Sequence, residues 1–462
     1  MSFSPEAITA FETCDRDAVA VADLIPRVER ESVHDMKFIN EGKFGHVRLV
    51  RLFGGLQASE MSFAHDSFSH QPAKDDDEEE SPEFFAAKYL NMDSVDPLDA
   101  AKQLAHEARI LSGLDHENII KLRGISSDNF AESFVDGSRG YFLLLDVLDG
   151  TLQDLLDQKR KEKRKSQKFL GKMAFKVRKK VSKRLTLKNN KATKVTSYEK
   201  RPSEITERKG MRRLSSLSTV GDGPQHQRST FKQVLQRLSL TSSSSDHQKR
   251  DQQEMYIRVE ETAAIGIARG LEYLHFKNIV FRDLKPANIG YYRNVGPDGS
   301  TTGWTVKLID FGLAQVEDKC EIGKLCGSLG YISPEAMQGH KATVHSDVFS
   351  FGTLLAEICS LEVPYGKNRN PKRLNMEDFY DDMCKRVANG KLRPMDDLDL
   401  ILPCFGIQAL VQDCWESPKN RPTCTEIIDR LDAIVKPKGT ACDWTQLCTE
   451  DGFTSTEEES DQ

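Results

Sequence analysis

A short stretch near residue 40 has the composition of a phosphate-binding turn. It reads Ile39-Asn-Glu-Gly-Lys-Phe-Gly-His-Val47, with two glycines between segments that alternate as strands. Because glycine has no side chain, a turn that contains it lets backbone N–H groups approach phosphate oxygens closely. The same spacing is common in plain hairpins, so a nucleotide-binding loop and a plain hairpin both remain open.

An ionisable pair is predicted between a strand and the following helix. Lys88 lies near the end of the apolar strand Phe84–Leu90, and a helix with Glu107 on it is predicted from Pro97 to Gly113. A lysine in a buried strand needs a counter-charge, which Glu107 would supply. The alternative is a lysine whose stem lies along the apolar surface while its ammonium reaches water.

Two further segments combine acidic and amide side chains at short spacing. They are Ile279-Val-Phe-Arg-Asp-Leu-Lys-Pro-Ala-Asn-Ile289 and Val306-Lys-Leu-Ile-Asp-Phe-Gly312. In order and spacing they match the catalytic-loop R-D-L-K-P-x-N and the D-F-G metal motif of eukaryotic protein kinases, and Lys88 and Glu107 fall where that family has its strand lysine and helix glutamate. The chain therefore resembles a eukaryotic protein kinase.

The resemblance covers residues 31–53, 84–157 and 255–436. Within these ranges, Ser350-Phe-Gly352 and the Cys-Trp…Arg-Pro pattern of 414–422 are most similar to the tyrosine-kinase-like group. Lys285, two residues after Asp283, resembles serine/threonine kinases. We take this lysine as the better guide to the acceptor, which predicts transfer to protein Ser or Thr hydroxyls.

The resemblance implies a phosphoryl transfer that depends on positioning and charge neutralisation. Asp283 is expected to orient the acceptor hydroxyl or accept its proton as the catalytic base. Lys285 would neutralise charge on the transferred γ-phosphoryl group. Lys88, held by Glu107, would bind the α- and β-phosphates of ATP.

Metal binding and the activation segment are implied in the same way. Asn288 and Asp310 offer the oxygen ligands that Mg²⁺ prefers. Ser328 takes the position of the family's substrate-facing threonine, and Glu335 is expected to pair with Arg421. The implied activation-segment residues are Asp310, Phe311, Gly312, Ser328 and Glu335.

The implied cofactors are ATP and Mg²⁺. Ala86 and Val47 are expected to pack on the adenine, and Asp146 and Val147 form the hinge whose backbone meets the adenine edge. The implied ATP-binding set is Asn40, Gly42, Gly45, Val47, Ala86, Lys88, Asp146 and Val147.

Four positions depart from the family pattern. Asn40 replaces the first glycine of the loop and is expected to tolerate a positive φ. Phe281 replaces the catalytic-loop histidine and is expected to fill its volume. Gly290 replaces the leucine beneath the adenine, which predicts a looser pocket floor, and Ser333 replaces an alanine. None removes a charge that the chemistry needs, so an active enzyme is favoured over a pseudokinase or scaffold that acts through its charged insertions.

The activation segment has no phosphorylation site in its first part. Arg282, before the catalytic Asp283, resembles kinases that are activated by phosphorylation of this segment. However, no Ser, Thr or Tyr occurs between Asp310 and Gly327. We therefore expect activity without such phosphorylation, with acidic side chains supplying constant negative charge. The three candidate acids are Glu317, Asp318 and Glu321.

The elements around these residues predict an α+β, bilobal protein-kinase fold with long disordered insertions. A small five-stranded β lobe with one main helix precedes a larger, mainly α-helical lobe. The predicted strands are 34–40, 46–53, 84–90, 120–125 and 141–147. The predicted helices of the large lobe are 255–275, 344–360, 376–388, 407–415 and 425–435.

Charge divides the chain further. Residues 158–254 contain 28 Lys and Arg against 8 Asp and Glu, whereas 54–83 and the tail 437–462 are acidic. Such blocks repel themselves and bury little apolar surface, so all three are expected to be largely unstructured. The predicted domains are an N-terminal extension 1–30, a kinase domain 31–436 and the acidic tail 437–462. Within the kinase domain, the predicted parts are an N-lobe 31–145 with the acidic insertion 54–83, a hinge 146–150, and a C-lobe 151–436 with the basic, Ser-rich insertion 158–254.

The basic insertion suggests a partner. Its first part spaces apolar residues on one helical face, at Leu170, Ala174, Val177, Val181 and Leu185. A basic amphipathic helix suits an anionic membrane surface or an acidic, calmodulin-like protein, while a nuclear-import patch and a solvated linker remain open. Its few aromatic residues argue against specific nucleic-acid binding. Ser215, after two arginines, and Ser239 are candidate phosphorylation sites.

Composition argues against a membrane or secreted protein. The 462 residues have a net charge of −6, 38% hydrophobic residues and a mean hydropathy of −0.52. No run approaches the roughly 18 apolar residues that a spanning helix needs, and the first residues do not resemble a signal peptide. The ten cysteines include no C-x-x-C pair, which favours reduced thiols and a cytoplasmic or nuclear location.

Overall fold

The computed structural model describes residues 25–41, 45–53, 83–90, 97–128, 141–169, 172–173, 175, 263–297, 300–366, 376–395, 402 and 405–435. Gly42, Ser215, Ser239, the face from Leu170 to Leu185 and the acidic tail lie outside these residues. The described part from 158 to 175 belongs to one compact unit, and all other described residues belong to a second.

A six-stranded sheet forms the first part of the larger unit. Its strands are β1 (Arg27–Val28), β2 (Val33–Glu41), β3 (Gly45–Leu52), β4 (Glu83–Leu90), β5 (Leu122–Ser126) and β6 (Phe142–Leu145), in the order β1-β5-β6-β4-β3-β2. The five predicted strands are all present as β2 to β6, and the sheet has a sixth, unpredicted strand, because β1 pairs in parallel with β5. The Ile125 N–H donates to the Pro26 carbonyl over 3.0 Å and fixes this extra edge strand.

Strand β4 separates two apolar clusters. Its side chains alternate between the sheet faces, so Ala86 and Leu90 join the main core, whereas Phe85 and Tyr89 join a cluster on the other face. Helix α1 (Pro97–Leu111) covers the first face through a stripe of buried residues that includes Leu104. Lys88 lies on the α1 face of the sheet because it alternates in step with Ala86 and Leu90.

The second part is mainly helical. Its described helices are α2 (152–169), α3 (263–276), α4 (Pro334–Met337), α5 (Val344–Ser360), α6 (Met376–Ala388), α7 (Phe405–Cys414) and α8 (Cys424–Val435). Helix α5 is buried almost all round, as expected of a central helix, and a capping box between Thr343 and Ser346 begins it. Helix α2 continues beyond 158, so the start of the insertion that was expected to be largely unstructured is helical over 158–169.

Short strands complete this part. They are β7 (Gly150–Thr151), β8 (Ile279–Val280), β9 (Ile289–Val295), β10 (Thr301–Leu308) and β11 (Gln315–Val316). Strand β9 lies between β10 and β7, and β11 pairs with β8. None of the helices in the described part of the chain is both long and apolar enough to cross a bilayer. The six cysteines of that part are free thiols.

Candidate active site

The loop after β8 is held by the first turn of α5. The buried carboxylate of Asp347 accepts hydrogen bonds from the backbone N–H groups of Phe281, over 2.8 Å, and Arg282, over 2.9 Å. The His275 ring contacts the same carboxylate over 3.1 Å. Arg282 has a φ of 67°, a conformation that a non-glycine residue keeps only when its surroundings hold it. The loop that leads to Asp283 is therefore fixed by hydrogen bonds to Asp347 of α5.

Asp283 is buried, with one carboxylate oxygen occupied and one without a partner. Its Oδ2 accepts from Lys285 Nζ over 2.7 Å and from Asn288 Nδ2 over 2.8 Å. Its Oδ1 has no hydrogen-bond partner among the residues that the structure describes. A buried carboxylate oxygen without a donor is costly, so this atom suits a ligand hydroxyl.

Lys285 connects the catalytic loop with the activation segment. Its ammonium donates to Ser328 Oγ over 2.8 Å as well as to Asp283. Gly327, just before that serine, has a φ of 102°, and a Cβ there would overlap the carbonyl oxygen of Arg282. A residue with a side chain cannot take this position without strain, so Gly327 lets the segment approach the loop closely.

The Lys88 ammonium lies between two carboxylates. Lys88 Nζ is 2.6 Å from Glu107 Oε2 and 3.0 Å from Asp310 Oδ1, and Glu107 Oε1 also accepts from the Phe311 N–H over 3.3 Å. Burial alone would lower the pKa of Lys88, but the carboxylates of Asp310 and Glu107 outweigh it and raise that pKa. The Lys88 charge in turn lowers the pKa of Asp310. Lys88 and Asp310 are therefore charged at neutral pH, whereas burial raises the pKa of Glu107 against the opposing charge of Lys88.

An aromatic pair lies behind these ionised groups. Phe281 and Phe311 are fully buried, and their rings meet edge to face with centroids 5.1 Å apart. Leu111, at the end of α1, is buried in the same core. Phe281 thus occupies the interior volume that the sequence comparison assigned to a histidine.

Residues of the predicted ATP-binding set lie on adjacent strands. Val47 on β3 and Ala86 on β4 both pack against the main core. Asn40 lies opposite Val47 in the β2–β3 ladder and is not among the residues with positive φ, so the tolerance of a positive φ expected of it is not needed in this strand. Gly45 begins β3, where a Cβ would overlap the carbonyl oxygen of Tyr89.

The two predicted hinge residues differ in their surroundings. The carboxylate of Asp146 pairs with Arg123, at 2.6 Å, and lies 3.7 Å from Lys307 Nζ. The Val147 side chain is exposed. Within the described residues, the backbone N–H groups of Val147 and Leu148 have no hydrogen-bond partner, as expected of a segment that offers its backbone to a ligand.

Some site residues were missed from the sequence. Lys307 donates to two backbone carbonyls in the loop that follows α1, those of Glu117, over 2.9 Å, and Ile119, over 3.1 Å. A lysine within the apolar run from 306 to 309 is the signal that could have revealed it. Leu148 left no signal of this kind, yet it occupies the space beside Gly290, so the looser pocket floor expected there is wrong.

The activation segment ends on a buried ion pair. Arg421 Nη1 and Nη2 donate to Glu335 Oε1 and Oε2 over 2.6 and 2.9 Å. Burial would raise the pKa of Glu335, but this two-pronged contact lowers it. The pairing joins the loop before α8 to the start of α4, which supports the segment rather than the chemistry.

Arg282 contacts a backbone carbonyl rather than the acidic side chains considered in the sequence analysis. Its Nε donates to the carbonyl of Leu313 over 2.6 Å. In the described part of the chain it forms no ion pair with the three acids proposed to replace a phosphate. Glu317 accepts from the Val344 N–H, Asp318 lies 3.8 Å from Lys341, and Glu321 lies 3.2 Å from Lys324.

Asn288 and Asp310 fit a divalent cation. The Asn288 amide nitrogen donates twice to Asp283, to its backbone oxygen and to Oδ2, which leaves the amide oxygen for another partner. The side chain of Asp310 is 47% exposed and ionised. Amide and carboxylate oxygens beside exposed space are ligands that suit Mg²⁺.

The family of this fold and site follows from sequence comparison. The family described as protein kinase domain matches residues 192–431, just over half of the chain. The chain belongs to the protein kinase family.

Several curated relatives are similar to this chain. It is 30% identical over 175 residues to the RGS domain-containing serine/threonine-protein kinase A of Dictyostelium discoideum, which covers 38% of this chain and 14% of that relative. It is 32% identical over 191 residues to the calcium and calcium/calmodulin-dependent serine/threonine-protein kinase of Pisum sativum, covering 39% and 35%. For the dual specificity protein kinase shkD of Dictyostelium discoideum, the identity is 32% over 193 residues, covering 41% and 23%. The chain thus spans about a third or less of the length of these relatives.

Proposed function

We propose that this chain transfers the γ-phosphoryl group of ATP to Ser or Thr hydroxyls of protein substrates, with Mg²⁺. The observation that carries the proposal is the convergence at Asp283, whose Oδ2 is held by Lys285 and Asn288 while its buried Oδ1 lacks a partner within the described part of the chain. In this role Oδ1 accepts the hydrogen bond of the acceptor hydroxyl and then its proton. Asp283 is thereby the catalytic base.

The remaining charges have distinct roles. Lys88, fixed by Glu107, binds the α- and β-phosphates, and Lys285 offsets charge on the transferred group. Asn288 and Asp310 hold Mg²⁺, which when bound neutralises charge on the phosphate oxygens. A Ser/Thr acceptor is supported by Lys285, whose position resembles serine/threonine kinases and whose ammonium also donates to Ser328 Oγ over 2.8 Å.

A direct test is Mg·ATP-dependent autophosphorylation of the wild type and of Asp283→Asn. We expect a signal from the wild type and a loss of at least about 100-fold in the variant, because the base contributes about 10²- to 10⁴-fold. Asp381→Asn, the same change on an exposed residue of α6, is the matched control. Equal, absent signals from correctly folded wild type and Asp283→Asn would favour the pseudokinase alternative.

We also propose activity without phosphorylation of the activation segment. Arg282 already donates to the Leu313 carbonyl, and residues 311–326 contain no hydroxyl side chain. Protein from bacteria, treated with phosphatase and then freed of it, is expected to keep its activity. Activity that appears only after an added kinase phosphorylates the protein would contradict this.

The basic insertion is proposed to bind an anionic partner, either a membrane surface or an acidic protein. Its described helical part exposes Lys161, Arg164, Lys165 and Lys168, and also Phe169, whose side chain is 63% exposed. An exposed aromatic residue beside cations favours the membrane surface. A cytoplasmic or nuclear location, the domain boundaries and the subgroup resemblance stay predictions.

A further inference from the structure

Gly290 lies in a strand where its backbone does not require glycine. It is the second residue of β9, between Thr151 of β7 and Lys307 of β10, and its φ is not in the left-handed region. A Cβ at this position would overlap Leu148 Cδ1 and lie 3.4 Å from Ile309 Cγ2. The residue at 290 therefore lacks a side chain because Leu148 fills that space.

Leu148 fills the space beside Gly290 from a different segment of the chain. It belongs to the segment between β6 and β7. Its side chain packs against the main core cluster, which contains Ala86 and against which Val47 and Ile309 also pack. Ile309 and Gly290 adjoin the two oxygen ligands, since Asp310 follows the first and Asn288 is two residues before the second. Leu148 Cδ1 thus lies beside Gly290, two residues after the predicted metal ligand Asn288.

We infer that Leu148 forms the apolar floor of the adenine pocket in place of a side chain from β9, so that nucleotide affinity depends on the pair Leu148–Gly290. The inference rests on the proposed ATP binding. Leu148 then has two functions. Its backbone N–H, which has no partner within the described residues, donates to the adenine edge, and its side chain packs against the face of the adenine. Shortening Leu148 opens the floor, whereas lengthening residue 290 displaces Leu148.

The test is a double-mutant cycle read by the Kd of Mg·ATP in calorimetry, with the full-length chain. Leu148→Ala and Gly290→Leu are each expected to weaken binding at least about tenfold, by lost contacts and by overlap. In the double variant, the leucine introduced on β9 can fill the space that the shortened hinge side chain leaves. This variant is expected to bind within about threefold of the wild type, a coupling that only contacting residues show. Gly303→Ala on β10 is the control, because a Cβ there meets Asn294 at an ordinary 3.5 Å.

The melting temperature without nucleotide separates this inference from a purely structural pairing. A double variant that regains the melting temperature but not the affinity would overturn the inference, and so would additive losses in Kd. If Gly290→Leu fails to fold, Gly290→Ala with and without Leu148→Ala serves the same cycle. A wild type that binds no Mg·ATP would overturn the proposed function itself, whereas a binding wild type with an uncoupled cycle would overturn only the role of Leu148.

Discussion

Lys88 is the point at which carboxylates from two different elements meet. The pKa of Asp310 is lowered, so its contribution to stability is complete above about pH 4, the pKa of an unfolded aspartate, and is lost as pH falls through the lower folded value. The pKa of Lys88 is raised above 10.5, so its contribution is complete below that pH and is lost only as pH rises through the folded value. Between these limits Lys88 and Asp310 keep their charges, while burial raises the pKa of the third group of the cluster, Glu107.

The change Lys88→Met tests how much the Lys88 charge stabilises the buried carboxyl of Glu107. It leaves Glu107 buried without a counter-charge, and we expect the free energy of unfolding to fall by about 3 kcal/mol near neutral pH. Urea titrations of wild type and variant should give the largest difference at neutral pH and above, and a smaller one on acidification, as Glu107 without its counter-charge and then Asp310 take up protons. A difference that grows on acidification would contradict the assigned charges.

Phe281 is a second residue whose role is local. Replacing it with Leu removes the edge-to-face contact with Phe311 and leaves part of its volume empty. We expect a loss of about 1 to 2 kcal/mol in the free energy of unfolding, measured in urea. Phe276→Leu, at a side chain that is 86% exposed, should change it by less than about 0.5 kcal/mol. Equal effects of the two changes would show that the buried pair contributes nothing.

Among the elements, α5 provides no catalytic group but holds the backbone of the catalytic loop through Asp347. Asp347 in its first turn accepts from two backbone N–H groups of the catalytic loop and holds Arg282 at positive φ. Asp347→Asn keeps one acceptor and turns an NH₂ group towards the other donor. We expect kcat to fall by at least about tenfold, or about 1.4 kcal/mol in the barrier, because Asp283 shifts.

A fall in kcat without a change in the nucleotide Kd would identify Asp347 as a positioning residue. The nucleotide Kd of Asp347→Asn should stay within about twofold of the wild type, since Lys88 and the hinge lie on other elements. Asp413→Asn on α7, at a carboxylate whose side chain is 48% exposed, is the control. Parallel losses of kcat and nucleotide affinity would instead indicate general unfolding of the site.

The elements also differ in how far the sequence predicts them. Helices α5 and α6 have the predicted bounds, because apolar residues recur with a helical period along α6 and α5 is a long segment that is buried almost all round. Strand β1 was missed because two residues are too short to show alternation, and its pairing with β5 depends on a contact across almost 100 residues. The catalytic set was predictable because its motifs are contiguous. The space that Leu148 takes from Gly290 was not, since it depends on where two distant segments meet.

At the scale of the whole molecule, charge is separated along the chain. The overall −6 combines a strongly basic insertion with acidic segments. The described helix at its start carries five exposed cations, four of which are spaced at i, i+3, i+4 and i+7. This spacing places Lys161, Arg164, Lys165 and Lys168 on one face, with Phe169 beside it. A cationic face with an exposed aromatic side chain beside it is typical of helices that bind at an anionic membrane surface.

This face predicts salt-dependent binding to vesicles. Changing the four cations to Gln should weaken partitioning onto phosphatidylserine vesicles by about 100-fold or more, because each contributes about 1 kcal/mol near such a surface. Lys324→Gln with Lys385→Gln, at exposed lysines elsewhere, should leave partitioning unchanged. Sedimentation at increasing salt should release the wild type, since a Debye length of about 10 Å at 0.1 M shrinks to about 3 Å at 1 M. Equal binding to zwitterionic vesicles would contradict an electrostatic contact, and binding to an acidic polypeptide but not to vesicles would favour an acidic protein partner.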